Sequence, residues 1–418
     1  MKKNVLLINS GRRIVARILQ DREDVNLSVI SMPGYLDYYD DDTDLEVVDT
    51  VENLTAVRMA ALRIRKRNPF DYVVAPSEWS VQAGGYIRSY FGLSGPDYRV
   101  ANAFSNKYAM KQALSAAGIP VTGYRLLGDY NEVFAAGEEL GWPLVIKRAC
   151  GGGSEYVIKL RDPDHARELA TDGRTADFRS APYPLMAEEF VDIETELHCD
   201  GIVVDGQTRF APVSKYLTPV LRGVDGVLGS YTLPEDDPDA RVVAALHEKV
   251  IDAFELTDGV THLEVFKCAR GYLVGEVAVR GGGGGIAPML KAQFGVDLWE
   301  TFVSVAIGEP VDTGHPARVR HMVEYMLPCP YGTVRSISSA EELMESPGMV
   351  YARIDTLVGD TLAGQVDSSV YAGIVVFEAD DEEQVYERLA EVRGRFKVAV
   401  ADPAEAVGLV GAAAGERG

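Results

Sequence analysis

Residues Thr261 to Gly285 read THLEVFKCARGYLVGEVAVRGGGGG, and apolar and polar residues alternate on both sides of a short turn. A period of two indicates β-strands, because successive side chains of a strand point to opposite faces of a sheet. One face is predicted to carry apolar residues, namely Leu263, Val265, Leu273, Val277 and Val279. The other face would carry His262, Glu264, Glu276 and Arg280. The segment is therefore predicted to form an antiparallel hairpin with one apolar face.

The polar face of this hairpin brings two carboxylates together. Glu264 and Glu276 lie opposite or nearly opposite each other if the chain turns between Cys268 and Gly271. Cross-strand Cβ atoms are roughly 4.5–5.5 Å apart, so carboxylates at these positions repel each other. A hard divalent cation with oxygen ligands would relieve that repulsion. The alternative is a solvated polar face on an ordinary half-buried hairpin, and the spacing alone does not choose between the two.

The composition restricts the classes of partner. A chain of 418 residues with 47% hydrophobic residues predicts a globular protein of about two to three domains. A formal net charge of -22 argues against a nucleic-acid or anionic membrane partner. Four scattered cysteines form no CxxC pair, which argues against common zinc patterns and indicates reduced thiols. The sequence shows neither a signal peptide nor the roughly 18 consecutive apolar residues of a membrane helix, so we predict a cytoplasmic protein.

The first hundred residues alternate strands and helices, which predicts a small parallel sheet with covered faces. Strands are predicted at residues 5–9, 27–31 and 71–75, and helices at residues 12–20 and around 57–64. Ile14 and Ile18 are expected on the same side of the first helix. The segment GLSGP, residues 92–96, marks the end of this first domain.

An α+β unit with antiparallel strands is predicted after residue 97. It would contain helices at residues 101–117 and 131–140 and strands at 121–127, 144–149 and 155–160. Further along the chain, Asp205-Gly206 predicts a tight hairpin turn. Thr218 to Thr232 lacks periodicity and is predicted to be a long mobile loop. The tail from Glu405 onward is small and polar enough to be disordered.

A second group of residues, LVIKRACGGGSEYVIKL at 144–160, places a lysine and a glycine-rich loop between two strands. Bare backbone N–H groups at such a loop can bind an anion, and Lys147 supplies a positive charge. The alternative is a flexible hairpin tip beside a surface lysine. The chain has no GxxxxGK[ST], HExxH or GxSxG pattern and no GxGxxG after its first strand. This argues against Walker-type, metalloprotease, serine-hydrolase and dinucleotide sites.

The order of these features along the chain is more specific than any one of them. Lys107 in NKYAMKQAL comes first, followed by Lys147 with its glycine loop, then by EEF at 188–190, and finally by the hairpin. This series resembles the ATP-grasp superfamily, specifically its carboxylate-amine ligases such as the bacterial L-amino acid ligases. The resemblance implies an ATP-grasp fold of α/β and α+β architecture. Its expected parts are a pre-ATP-grasp parallel-sheet domain (1–97), ATP-grasp lobe A (98–185) and ATP-grasp lobe B (186–310). A C-terminal lobe that completes the substrate site (311–404) and a disordered tail (405–418) would follow.

The resemblance also implies which residues bind the nucleotide. Lys107 and Lys147 would hold the ATP phosphates, Lys147 with a catalytic role. The loop that closes over the phosphates would consist of Gly151, Gly152, Gly153 and Ser154. The adenine edge would be read by backbone groups of Glu188, Glu189, Phe190 and Val191. Glu196 would bind the ribose hydroxyls.

For the metal and the acyl substrate, the resemblance points to the hairpin. Glu264 and Glu276 would bind Mg²⁺, with Mn²⁺ as an alternative ion, and Arg280 would face the phosphates and the acyl substrate as a catalytic residue. Ala278 stands where the family commonly has asparagine, so one metal ligand is missing. His198 and His262 are expected to be hydrogen-bonded structural histidines.

The activity implied is that of an ATP-dependent, ADP-forming ligase. It would activate a carboxylate as an acyl phosphate and join it to an amine, such as that of an amino acid. Its substrates would be a small-molecule carboxylate and amine, with no nucleic acid and no membrane as partner. Two alternatives stay open: the same activation with a carrier-protein thiol or another acceptor, and a nucleotide-binding module without catalysis. A homodimer is also left open.

Overall fold

The computed structural model of the chain describes residues 2–152, 157–172, 184–223, 227–364 and 370–401. The chain divides into two compact units. Unit 1 comprises Met1–Pro212, Arg241–Gly282 and Leu298–Thr313, and unit 2 comprises Val213–Ala240, Gly283–Asp297 and Gly314–Gly418. The predicted division into four segments and a tail stays a prediction, and the tail lies outside the described residues.

A four-stranded parallel sheet begins unit 1, as predicted, with strand order β3-β2-β1-β4. Its strands are β1 (Lys3–Ile8), β2 (Val25–Ser31), β3 (Asp44–Val47) and β4 (Tyr72–Val74). The accompanying helices are α1 (Arg13–Gln20), α2 (Leu54–Arg67) and α3 (Glu78–Phe91). Within α1 the side chains of Val15, Ile18 and Leu19 are buried, whereas that of Ile14, one turn before Ile18, is 45% exposed.

Two helices replace the single helix predicted at 101–117. They are α4 (Tyr98–Ala103) and α5 (Lys107–Ala116). The chain breaks between them because Asn106 caps α5, accepting hydrogen bonds from the N–H groups of Tyr108 and Ala109. Lys107 is consequently the first residue of α5, at a helix N-terminus where the backbone favours anions.

An antiparallel sheet of order β5-β8-β6-β7 follows, which confirms the predicted strand direction. Its strands are β5 (Tyr124–Leu127), β6 (Leu144–Arg148), β7 (Ile158–Leu160) and β8 (Leu185–Glu189). They are shorter than predicted, and residues 155 and 156 lie outside the described part. The helices α6 (Val133–Leu140) and α7 (Pro163–Asp172) contribute to one apolar core with this sheet, including Leu127, Val133, Ile146, Leu169 and Leu185.

The other strands of unit 1 are antiparallel, in the order β14-β13-β9-β10. They are β9 (Thr195–Val204), β10 (Gln207–Phe210), β13 (Gly259–Cys268) and β14 (Gly271–Ala278). Asp205 and Gly206 form the predicted tight turn, with φ of 53° and 70°. The long hairpin is confirmed with its turn at Cys268–Gly271. The assignment of Leu273 to the face of Val265 is wrong, because the register pairs Val265 with Val274 and Leu273 with Phe266.

Unit 2 contains a second group of antiparallel strands, in the order β11-β12-β15-β19-β17, and a three-stranded sheet β18-β16-β20. These strands are β11 (Val213–Tyr216), β12 (Leu228–Thr232), β15 (His321–Leu327), β16 (Tyr331–Ile337), β17 (Met349–Ile354), β18 (Thr361–Ala363), β19 (Gly373–Ala379) and β20 (Val398–Ala401). Its core contains Tyr231, Val323, Tyr325, Phe377 and Leu389.

The remaining helices of the described chain are α8 (Val220–Gly223), α9 (Pro238–Phe254), α10 (Ile286–Phe294), α11 (Leu298–Ala306), α12 (Ala340–Met344) and α13 (Glu382–Arg395). The prediction of a mobile loop over Thr218 to Thr232 is wrong for the parts occupied by α8 and β12, and residues 224–226 lie outside the described residues. All five residues of β12 are buried, and burial in the sheet gives order to a segment with no readable periodicity.

Two further expectations concern membranes and thiols. None of the helices in the described ranges is long and apolar enough to cross a bilayer. All four cysteines belong to the described residues, and none of them forms a disulfide bond.

Candidate active site

Glu264 and Glu276 are direct cross-strand partners in β13 and β14. A one-residue irregularity after Glu264 produces this alignment, with Gly275 as the extra residue of β14. A Cβ atom at Gly275 would lie 2.6 Å from Cζ of Phe266, so a larger residue would force the ring or the strand to move. The glycine bulge thus allows the register that brings the two carboxylates opposite each other.

Lys107 lies beside these carboxylates. Its Nζ is 2.9 Å from Glu276 Oε1, and it also donates a hydrogen bond to the carbonyl oxygen of Gly151. Burial would lower the pKa of this lysine, but the negative charges of Glu276 and Glu78 outweigh burial and raise it. Lys107 is therefore a buried cation that joins the start of α5 to the hairpin and to the glycine loop.

Arg280, just beyond β14, forms an ion pair with Glu78, the first residue of α3. Arg280 Nε donates to Glu78 Oε2 at 2.8 Å. A Cβ added to Gly152 would lie 3.3 Å from Glu78 Cγ and 3.6 Å from Arg280 Nη2, and one added to Gly151 would lie 3.1 Å from the ring of Trp79. The described half of the glycine loop therefore lies against this ion pair. Gly153 and Ser154 lie outside the described residues.

Lys147 at the end of β6 is paired with Glu188 in the neighbouring strand β8. Lys147 Nζ lies 2.7 Å from Glu188 Oε1, and the Thr122 hydroxyl donates to Glu188 Oε2 at 2.9 Å. Burial would raise the pKa of Glu188, but the charges of Lys111 and Lys147, with these hydrogen bonds, lower it to about 2. Glu188 is thus a carboxylate of the interior that stays ionised at neutral pH.

Lys111 is the residue of this cluster that sequence analysis missed. It is fully buried, its Nζ lies 3.5 Å from Glu188 Oε2, and it donates to Thr122 Oγ1 and to the carbonyl oxygen of Gly275. Burial lowers its pKa to about 8, although Glu188 opposes this effect. The available signal was its position four residues after Lys107, on the same face of a helix. Lys111 connects the Lys147–Glu188 pair to the bulge of the hairpin.

The residues that follow Glu188 have other contacts. Glu189 Oε1 accepts hydrogen bonds from the Gly123 N–H at 2.6 Å and from Arg270 Nη2 at 2.8 Å. The backbone N–H groups of Glu189 and Phe190 donate to the carbonyl oxygens of Gly123 and Pro143. The side chain of Glu189 therefore contacts the turn of the hairpin, at Arg270, rather than Glu264 or Glu276. Val191 directly follows, half-buried.

A buried polar network continues on β9 and β13. Asp200 Oδ2 is 2.7 Å from Nδ1 of His198, and Asp200 Oδ1 is 2.9 Å from Nδ1 of His262. His262 Nε2 lies 3.4 Å from Glu264 Oε1. Glu196, also buried, occupies the same face of β9 two residues before His198. The two histidines are hydrogen-bonded, as expected from the sequence, but their connection to the hairpin through Asp200 was not foreseen.

Charge distribution in this network favours a protonated His262. Burial would lower the pKa of His262, but the charge of Asp200 and hydrogen bonds with Asp200 and Glu264 raise it to about 10. Burial would likewise raise the pKa of Glu264, and hydrogen bonding with His262 is the main effect that lowers it, to about 2. Glu264 is therefore ionised beside an imidazolium.

Lysines near a glycine loop and paired carboxylates on a hairpin, together with the fold of unit 1, define an ATP-grasp enzyme. The protein-family model for the ATP-grasp domain matches residues 112–294. The family model for L-amino acid ligase C-terminal domain 2 matches residues 325–401. The chain is 34% identical over 401 residues to the L-arginine-specific L-amino acid ligase of Bacillus subtilis, covering 94% of this chain and 96% of that relative. It belongs to the L-amino acid ligase family.

More distant relatives and solved structures are consistent with this family. The chain is 21% identical over 334 residues to dapdiamide A synthase of Enterobacter agglomerans, covering 77% of this chain and 78% of that protein. It shares its fold with the L-amino acid ligase of Bacillus licheniformis, at a TM-score of 0.72 and 16% identity, covering 96% and 99% of the two chains. Carboxyaminoimidazole ribonucleotide synthase of Aspergillus clavatus, solved with ATP, also has a TM-score of 0.72 at 16% identity, covering 95% and 99%.

These findings confirm the resemblance, the fold class and the enzyme class predicted from the sequence. The chain is an ATP-dependent ligase that forms carbon–nitrogen bonds.

Proposed function

We propose that the enzyme joins the carboxylate of one amino acid to the amine of a second, using residues of unit 1 to bind ATP and activate the acid. The observation that carries this proposal is the direct pairing of Glu264 with Glu276 beside two cations, the buried Lys107 and the partly buried Arg280. A site that transfers a phosphoryl group needs carboxylates for a metal and fixed positive charges for phosphate oxygens. Both are present on neighbouring elements.

The nucleotide phosphates would be bound by Lys107 and Lys147. Lys107 is suited to this role because its ammonium group is held between Glu276 and the carbonyl oxygen of Gly151 in the glycine loop. Gly151 and Gly152, with Gly153 and Ser154 after them, would form the covering loop. In the adenine-binding stretch of Glu188 to Val191, the N–H groups of Glu189 and Phe190 are already bonded to carbonyl oxygens. Adenine contacts would therefore use the Val191 N–H and the carbonyls of the stretch, with Glu196 on the ribose.

The metal ligands would be Glu264 and Glu276. Their paired carboxylates provide the oxygen ligands that Mg²⁺ prefers, and Mn²⁺ accepts a similar donor set. Ala278 adds no ligand, so the other positions would be filled by water or phosphate oxygens. When bound, the ion would neutralise charge on the transferred phosphoryl group.

The reaction would proceed in two displacements. An oxygen of the substrate carboxylate attacks the γ-phosphorus, the bond to the bridging oxygen breaks, and an acyl phosphate and ADP result. The amine nitrogen of the second substrate then attacks the acyl carbon, loses a proton and expels phosphate. Arg280 would hold the acyl phosphate oxygens, and Glu78 fixes the direction of its guanidinium group. The protein would accelerate this reaction mainly by positioning the substrates and by neutralising the charge of the phosphate groups.

The acid and the acceptor can be found by measuring ADP and phosphate release over amino acids, singly and in pairs. Arginine comes first, because the Bacillus subtilis relative is named as arginine-specific. Hydroxylamine would trap an activated carboxylate as a hydroxamate, and mass spectrometry would identify a dipeptide. We expect release that depends on an amino acid. Products on a thiol would instead indicate a carrier-protein acceptor, and no release with any acid would favour a nucleotide-binding module. A cytoplasmic location stays a prediction.

A further inference from the structure

We propose that Asp200 and His262 form a positioning relay that holds Glu264 in the orientation needed to bind the metal ion. In this relay Nδ1 of His262 lies against Asp200 and Nε2 lies against Glu264. The inference rests on the proposed function, because it requires Glu264 to be a metal ligand. Nothing else in the proposed reaction uses Asp200.

The geometry of the relay is continuous across two strands. Asp200 on β9 and His262 on β13 are direct cross-strand partners, and Glu264 follows two residues later on the same face of β13. The Nδ1–Oδ1 distance is 2.9 Å and the Nε2–Oε1 distance is 3.4 Å. Both nitrogens of the imidazole ring therefore face a carboxylate oxygen.

Burial makes the relay rigid. Asp200 is fully buried and His262 is only 7% exposed, so neither group can exchange its partner for bulk water. An ionised carboxylate in such surroundings is costly unless it is hydrogen-bonded and paired with a positive charge. His198 occupies the second oxygen of Asp200 and so fixes the direction in which that carboxylate faces His262.

Ala278 on β14 makes the orientation of Glu264 important for metal binding. Ala278 is the cross-strand partner of His262 on the side opposite Asp200, and its methyl group cannot bind a metal. The ion would then depend on two carboxylates, and the rotation of each decides how well it binds. The contact between His262 Nε2 and Glu264 Oε1 restricts this rotation for Glu264. Hydrogen bonds of this indirect kind orient metal ligands, and their loss typically costs about 10–100-fold in metal affinity or activity.

The same three buried groups invite a second interpretation. His198, Asp200 and His262 each offer a ligand atom, and these atoms lie within 4.8 Å of one another, so the groups could hold a metal themselves. However, the Nδ1 atoms are engaged with the two oxygens of Asp200 in short hydrogen bonds. A metal there would have to break both bonds. The observed contacts therefore favour the relay, and the number of bound ions distinguishes the two interpretations.

The test is a titration of the full chain with Mn²⁺, followed by electron paramagnetic resonance, with a non-hydrolysable ATP analogue present. His262→Asn places its amide nitrogen near the position of Nδ1, and His262→Gln near that of Nε2. We expect His262→Asn to weaken Mn²⁺ binding about 10–100-fold. His262→Gln, which can still donate to Glu264 but loses its contact with Asp200, should bind Mn²⁺ with an affinity between those of His262→Asn and wild type. Binding of the analogue without metal should be unchanged in both.

A matched control is provided by His247. It is fully buried, and its Nε2 lies 2.7 Å from Oγ1 of Thr261, the neighbour of His262 on β13. His247→Gln should perturb a buried histidine of the same sheet while leaving Mn²⁺ affinity unchanged. If His262→Asn does not fold, Asp200→Asn serves as the second variant, with the same expected loss of affinity.

Several results would overturn the relay. Wild-type Mn²⁺ affinity in a folded His262→Asn or Asp200→Asn variant would do so, as would an equal loss in His247→Gln. A second Mn²⁺ ion per chain that disappears in Asp200→Asn would show a metal site instead. Failure of wild type to bind Mn²⁺ with the analogue would refute the metal role of Glu264 itself. That result differs from refutation of the relay alone, in which the wild type binds Mn²⁺ and the variants bind it with the same affinity.

Discussion

The charged residues of the site are already engaged with groups of opposite charge inside unit 1. These ion pairs are Lys107 with Glu276, Lys147 with Glu188, and Arg280 with Glu78. Nucleotide binding would therefore replace the carboxylate partners of these lysines and this arginine with phosphate oxygens. The positive charges are paired both before and after binding. Single substitutions at this scale are expected to separate binding from chemistry.

Glu276→Gln should abolish ADP formation while leaving adenine-nucleotide binding without metal largely unchanged. The amide keeps the shape of the side chain but lacks the negative charge that a divalent cation requires. Phosphate release and calorimetric binding of the nucleotide would measure the two effects. Glu139→Gln, an exposed carboxylate paired with Arg125, is the control and should retain full activity. Full activity in Glu276→Gln would refute its role as a metal ligand.

Arg280→Ala should lower kcat by about 100-fold or more, with a smaller effect on ATP affinity, because its guanidinium would contact charge that develops during transfer. Steady-state kinetics with saturating amino acid would separate kcat from KM for ATP. Arg270→Ala removes an exposed arginine that pairs with Glu189 outside the cluster, and it should leave kcat unchanged. A loss confined to ATP binding would argue against any role of Arg280 in the transition state.

The hairpin shows what a sequence pattern can and cannot specify at the scale of an element. Alternation predicted both strands, the turn and the facing carboxylates. It did not reveal the bulge at Gly275, because glycine carries no side chain to mark a face, and so Leu273 was assigned to the wrong one. In the same way, periodicity did not reveal the break between α4 and α5, which depends on the capping side chain of Asn106.

Gly275→Ala should impair both stability and activity, since the new methyl group would meet the ring of Phe266. Overpacking of this kind typically costs about 1–3 kcal/mol and moves the backbone. Urea denaturation and phosphate release would measure the two effects. Adding Phe266→Leu should restore activity in part by removing the obstruction. No recovery in the double variant would mean that the glycine is needed for another reason.

At the scale of the whole molecule, acid should destabilise the fold through Glu188. Its pKa is about 2 in the folded chain against an ordinary value of 4.5, so the unfolded chain binds more protons between these values. The stabilisation is present above pH 4.5 and is lost as the pH falls toward 2. Denaturation by urea at several pH values would show it.

Glu188→Gln is the matching variant for the acid effect. It should be less stable at neutral pH by roughly 3–5 kcal/mol, because the buried Lys111 and the partly buried Lys147 lose their counter-charge. It should also show a shallower decline in stability between pH 4.5 and 3 than wild type. A decline as steep as that of wild type would show that other carboxylates, such as Asp200 and Glu264, account for the acid sensitivity.

The order of motifs along the chain was sufficient to predict the family and the fold, because strands, helices and the hairpin are local patterns. The contacts that complete the site are not local. Lys111 contacts Gly275 across 164 residues, and Asp200 contacts His262 across 62. Neither pairing has a periodic signature. Buried polar residues of this kind resemble ordinary surface residues in a sequence until the sheet places them together.

The arrangement around Glu188 has a consequence for repeated turnover. If Lys147 turns toward a phosphate, Glu188 still has the ammonium group of Lys111 at 3.5 Å and the hydroxyl of Thr122 at 2.9 Å. Glu188 would therefore keep a positively charged partner while Lys147 contacts the nucleotide. The carboxylate would not become an unpaired charge in a low-dielectric interior. When the products leave, the negative charge of Glu188 would attract Lys147 again. The second lysine would make the exchange reversible, so that each catalytic cycle begins from the same arrangement of charges.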